Sequence, residues 1–271
     1  MKRIIQLMFI FIIGLSVTGC STFNATSLTP DWFSKDEEEK VLGPEGSLEK
    51  ATQLTKDGYY EEAREVLEKV EAESDSREYS TLAKIRIADT YYDDELYAEA
   101  AIEYASFLDI QSYSKYAAYA QYKLAMSYFK RIKTIDVSYH WARLAIQEFE
   151  VLRRNYPRNP YMDITESRIK MCRRVLAEYE FYVGKFYFEK GSYAAAIGRF
   201  NNMLENYPES KSESEALYYL GMSYDNSGQK FKAIEYFNAL VEKFPTNELS
   251  VKARELIVSI DSQTPRLIIA E

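Results

Sequence analysis

The chain has 271 residues, with 34 Lys and Arg against 42 Asp and Glu, one His and two Cys, for a formal net charge of −8. That balance repels phosphate backbones, and without a dense basic patch it argues against nucleic acid as a partner. One His and two Cys rule out a clustered zinc site, whereas 24 Tyr and 14 Phe supply ample core for one elongated domain or two compact ones.

In chain order, Lys2 and Arg3 precede an apolar run from Ile4 to Val17, the layout of a secretory signal peptide. The run is shorter than the ~20 residues a spanning helix needs. Val17-Thr18-Gly19-Cys20 resembles the bacterial lipobox, which implies cleavage after Gly19 and a diacylglycerol on the Cys20 thiol. Loss of residues 1–19 removes two cations, so the mature chain of 252 residues would carry −10. With Cys20 lipidated, Cys172 is the remaining thiol and no internal disulfide can form. It lies in a helical stretch and is expected to be a small buried side chain. Residues 20–46 are rich in Ser, Thr, Asn, Pro, Gly and charge and read as a flexible tether. Its root-mean-square span would be roughly 28 Å. The adjacent Trp32 and Phe33 are the exception to its polar character and are expected to dock on the folded body.

From Ser47 to Ile260 apolar residues recur at spacings of three and four, with isolated Gly and little Pro, so an all-α fold is predicted. Asp75/Glu78, Asp163/Glu166 and Ser212/Glu215 have capping-box spacing and are expected to open helices. Residues 184–208 and 221–245 share nine identities in 25 gapless positions, including a Gly, a Tyr three residues on, a turn Gly, an Ala, a Phe and a closing Pro. This is the tetratricopeptide pattern. The first Gly lets two helices approach, the second makes the turn between them, Phe fills the core, and Pro stops the second helix. Weaker copies begin near Ala51, Ala88 and Ala125. The third copy carries extra residues around Lys133 to His140, read as an inserted loop. The prediction is a solenoid of about five repeats, or ten helices, with a terminal capping helix near residues 248–260. An N-terminal half (47–157) and a C-terminal half (177–260) would be joined by one long helix, and residues 261–271 would form a tail.

No catalytic constellation emerges. His140 stands beside Trp141 in the expected insertion, acidic runs lack calcium-loop spacing, and no phosphate-binding Gly loop occurs. No cofactor or metal is expected, and the chain is read as non-enzymatic. A repeat stack offers a groove instead. The concave positions of repeats two and three carry Ile85, Asp89, Tyr92, Tyr119, Tyr122, Met126, Phe129 and Lys130, an aromatic row suited to an extended peptide.

One stretch goes beyond generic repeats. Ala145, Phe149, Leu152, Arg154, Tyr156, Pro157 and Tyr161, then Leu176, Ala177, Tyr179 and Glu180, then Tyr187, Gly191, Arg199, Leu204, Tyr207 and Pro208 together resemble the outer-membrane protein assembly lipoproteins known as BamD (YfiO/ComL). The resemblance is strong over residues 140–208 and looser elsewhere. It implies a periplasmic scaffold, lipid-anchored at the outer membrane, whose N-terminal repeats receive C-terminal segments of unfolded outer-membrane proteins. It also implies that the C-terminal repeats dock the β-barrel insertase, with Arg199 as a docking residue, alongside other assembly lipoproteins. The sequence departs from the family at "VEAESDSREY" and "FLDIQSYSKY", where a Tyr-Pro turn and a Pro-rich turn are usual. A lipoprotein scaffold for cell-wall or another envelope complex is the alternative.

Overall fold

The computed structural model describes residues 42–208 and 210–263. The lipobox with Cys20, Trp32 and Phe33, and residues 264–271 lie outside them. The elements are α1 (Pro44–Asp57), α2 (Tyr60–Glu73), α3 (Arg77–Asp93), α4 (Tyr97–Gln111), α5 (Ala117–Lys130), α6 (Ile135–Asn155), α7 (Met162–Glu189), α8 (Tyr193–Asn206), α9 (Glu213–Asn226), α10 (Lys230–Lys243) and α11 (Glu248–Gln263). Each helix packs chiefly on its neighbours in sequence. Ten helices in five pairs and a terminal helix make the expected tetratricopeptide solenoid.

The small residue at each helix crossing recurs at Ala51, Ala88 and Ala125, 37 residues apart, and again at Gly184 and Gly221, also 37 apart, with 59 residues between Ala125 and Gly184. Each faces a large buried side chain of the second helix: Leu67, Tyr104, Phe149, Phe200 and Phe237. At Gly184 and Gly221 the rings come so close that a Cβ would lie 2.7 and 2.6 Å from Cε1 of Phe200 and Phe237. The turns inside repeats one, four and five place Gly58, Gly191 and Gly228 at φ of 85°, 73° and 80°, a region that costs L side chains energy. Repeat two makes the same turn with Glu95, at φ 60°. Pro157, Pro208 and Pro245 follow the ends of α6, α8 and α10, where the ring cannot continue a helix.

Several boundaries differ from expectation. Helix α1 opens at Pro44 rather than Ser47, because Pro is well tolerated in a first turn, and α11 runs on to Gln263 rather than ending at Ile260. The residues read as a loop around His140 instead lengthen α6. The Lys133 N–H donates to Ser138 Oγ at 2.9 Å, pinning the turn before it, and His140 lies exposed on the helix, edge-on to Trp141. None of the three expected capping boxes forms a side-chain cap. Turns one and four residues upstream take over at the first two of them. Ser74 Oγ accepts the Ser76 N–H at 3.2 Å before α3, and Asn159 Oδ1 accepts the Tyr161 N–H at 2.7 Å before α7.

Helix α7 is one uninterrupted element of 28 residues. Its first half packs on α6 and its second half, with Gly184, pairs with α8. Cys172 is fully buried in it, and burial pushes the thiol up to about 12. Helix α11 closes the stack with Ala253 and Ile260 buried, and leaves Val251 and Val258 exposed on its other side.

Candidate functional site

Helices α3 and α5 bring the predicted groove residues to adjacent positions, and the structure sorts them into two sets. Ile85 and Met126 do not line a groove. They are 2% and 6% exposed and belong to the core, Ile85 with Ala88 and Tyr104, Met126 with Phe149 and Cys172. Helical spacing gives the angular position of a side chain, but a neighbouring helix determines whether it reaches solvent. Asp89 is also largely buried. Its Oδ1 accepts hydrogen bonds from the Tyr104 and Tyr119 hydroxyls at 2.6 and 2.7 Å, and its Oδ2 lies 3.5 Å from Arg86 Nη1. Burial raises the Asp89 carboxyl above its ordinary range, against the opposing hydrogen bonds from the two tyrosines and the nearby charges of Lys123 and Arg86. Asp89 thus holds two rings in place and is not a free contact.

The remaining residues form a half-buried aromatic face. The Tyr92 ring meets Tyr97 edge-on at 5.3 Å. Tyr122 stacks on Tyr161 at 4.5 Å with the rings nearly parallel, 9° apart. Phe129 lies beneath the Arg168 guanidinium, whose Cζ is 4.9 Å from the ring centroid. Lys130 is exposed, with Nζ 6.0 Å from the Tyr97 ring. Burial raises the Tyr92, Tyr119 and Tyr122 hydroxyls, so all three stay protonated donors near neutrality.

Sequence reasoning missed two cations at this face. Lys123 lies one turn after Tyr119, and its Nζ sits 3.4 Å from the Tyr92 ring centroid and 5.9 Å from that of Tyr119. Desolvation lowers its pKa, partly offset by Asp89 and Asp93. Arg168 comes from the first half of α7, read from sequence only as a connector. Nothing local marks it, because its neighbours Phe129 and Tyr122 are about 40 residues away. Among the described residues neither cation forms an ion pair.

In the C-terminal half, Arg199 on α8 donates from Nη1 to Glu180 Oε2 at 3.2 Å. Glu180 is 1% exposed and Arg199 41%, so the guanidinium neutralises a buried carboxylate while its far edge meets solvent. In this half Phe188 lies 5.2 Å from Tyr219, and Phe181 5.9 Å from the fully buried Phe200.

Fold and face together define a tetratricopeptide-repeat protein, a stack of helix pairs that presents a ring-lined surface. Comparison with known proteins narrows the class. The family model for YfiO, described as an outer membrane lipoprotein, matches residues 44–232, and the chain belongs to that family. It is similar to the outer membrane protein assembly factor BamD of Rickettsia prowazekii, with 26% identity over 219 residues, 80% of this chain and 82% of the relative. The protein of the same name from Haemophilus influenzae is 25% identical over 228 residues, again 80% and 82% of the two chains. Among solved structures, the TPR2AB-domain:pHSP90 complex of yeast Sti1 aligns with a TM-score of 0.45 and 14% identity, covering 81% of this chain and 83% of that one.

Proposed function

We propose that this protein is a non-catalytic, lipid-anchored scaffold of the outer-membrane β-barrel assembly machinery. Its N-terminal repeats hold C-terminal segments of unfolded outer-membrane proteins, and its C-terminal repeats dock the β-barrel insertase and other assembly lipoproteins. Membership of the YfiO family over residues 44–232 carries this reading, supported by relatives named as outer membrane protein assembly factors. The half-buried rings of Tyr92, Tyr119, Tyr122 and Phe129 support the first role, since barrel segments alternate apolar and polar residues and end in an aromatic. Ring contacts contribute roughly 0.5–1.5 kcal/mol each beyond area burial, which suits reversible capture. Cys20 would fix the protein to the periplasmic face of the outer membrane, as a lipid with at least two acyl chains anchors stably.

Affinity purification from detergent-solubilised membranes tests the assignment. Recovery of a β-barrel insertase is the expected result; recovery of cell-wall enzymes without it would move the protein to the alternative envelope complex. Labelling with radioactive palmitate should mark the wild-type chain and not Cys20→Ala. For docking, Arg199 would use the donors that Glu180 leaves free. Arg199→Ala should weaken insertase recovery, and the pair Glu180→Gln/Arg199→Ala, which removes the buried charge as well, should do the same without loss of fold. For the groove, Tyr122→Ala and Phe129→Ala should each weaken binding of a barrel-derived peptide. Unchanged affinity in folded variants would remove this face from the mechanism.

A further inference from the structure

Arg168 is electrostatically out of place. A guanidinium carries five donors and is recognised best by a carboxylate, which it binds through paired hydrogen bonds. Here Nε is buried with no hydrogen-bond partner. Nη1 has only the Met171 thioether, a weak acceptor at 3.4 Å. Its plane is offered to Phe129, and its charge acts on the hydroxyls of Tyr92 and Tyr122. Met171 is 41% exposed, so this edge of the guanidinium opens to solvent. Lys123, over Tyr92, is the second cation without an ion pair. In a chain with an excess of eight acidic groups, two cations that form no ion pair among the described residues, on one aromatic face, leave that face able to receive an anion. The flanking rings fit an aromatic side chain attached to it.

We propose that Arg168, assisted by Lys123, is a carboxylate-binding subsite that takes the free C-terminus of an aromatic-ended peptide. The carboxylate displaces the Met171 thioether contact and receives the unused guanidinium donors, while the terminal ring lies among Tyr92, Tyr122 and Phe129. The subsite rests on the peptide-groove reading above, and it assigns the polarity of the bound segment: its C-terminus lies against α7.

The test uses the full-length protein in detergent and two fluorescent eight-residue peptides, identical and ending in Phe, one with a free carboxylate and one with a C-terminal amide. Anisotropy should show the acid binding about tenfold more tightly than the amide, the effect expected of a charge-assisted hydrogen bond. Arg168→Gln should bring the ratio close to one, and Arg168→Lys should keep part of it. Equal binding of acid and amide by the wild type would overturn the subsite and leave the groove reading standing. Binding of neither peptide would overturn both. An acid preference that survives Arg168→Gln would assign the carboxylate elsewhere and overturn the role of Arg168. Because the acid and amide are compared on the wild-type protein, a variant that folds poorly does not obscure the result.

Discussion

Gly221 offers a quantitative test of how the repeats are packed. A Cβ there would lie 2.6 Å from Cε1 and 2.7 Å from Cδ1 of Phe237, far inside the ~3.5–4.0 Å of a favourable carbon contact. The Phe237 ring is fully buried and cannot move without disturbing the α9–α10 crossing. Alanine gains about 0.8–1 kcal/mol of helix propensity, whereas overpacking typically costs about 1–3 kcal/mol. Gly221→Ala is therefore expected to destabilise by about 1 kcal/mol on balance. Gly198, inside α8, is the control. A Cβ there meets nothing within 4 Å, so Gly198→Ala should stabilise by about 0.5–1 kcal/mol. In thermal melts each kcal/mol corresponds to about 2–4 °C for a chain of this size, so the two variants should move in opposite directions. A third variant, Gly221→Ala with Phe237→Leu, rebuilds the Ala51 and Leu67 pairing of repeat one and should lose less than the sum of its single changes. If Gly221→Ala raises the melting temperature as Gly198→Ala does, close approach is not why glycine stands there.

Glu95→Gly should stabilise by about 0.5–1 kcal/mol, the left-handed strain of an L residue less the extra chain entropy of glycine; denaturant titration would show it as a higher midpoint. Asp89 sets a pH dependence. Its carboxyl is raised above 3.8 by burial, so just above that pH the folded chain holds a proton that the unfolded chain has released. Stability from this group therefore falls as pH rises through that window and the charged form remains a cost above it. Asp89→Asn should flatten this part of the stability profile above pH 3.8, and an unchanged slope would place the titration elsewhere. Cys172, buried with its thiol at about 12, should resist a thiol-selective disulfide reagent at pH 8 in the native protein and react after denaturation.

The repeat signature was the most legible part of the chain because each of its residues has a local mechanical task. Turn glycines, closing prolines and crossing alanines specify backbone geometry within a few residues of themselves, so helix number and pairing could be read directly. Helix starts were less legible. Ser74 and Asn159 organise the turns before α3 and α7, outside the spacing on which a capping box depends. The groove was legible in its rings and illegible in its charges. Tyr119 and Tyr122 follow from position in the repeat, but whether Met126 is reachable depends on α6 and α7 lying over it. Arg168 reaches Phe129 across 39 residues of sequence, a contact that only the path of α7 creates. Arg199 was found through resemblance, and its partner Glu180, 19 residues earlier, stands among the same matching residues without its burial being evident.

The continuity of α7 bears on how this protein can be taken apart. Most repeat arrays can be divided at any inter-helix loop, giving fragments with intact helices at both ends. Between the third and fourth repeats there is no such loop after Asp163; the backbone runs helically for a length of about 42 Å. A cut placed between the two halves would leave one fragment with a dangling hydrophobic arm and the other with a truncated first helix. Complementation by separately expressed halves should therefore succeed only when the break falls in the turn at residues 156–161, which assigns the whole of α7, Arg168 included, to the downstream fragment. The aromatic face, divided in this way between two polypeptides, would be rebuilt only on their reassociation.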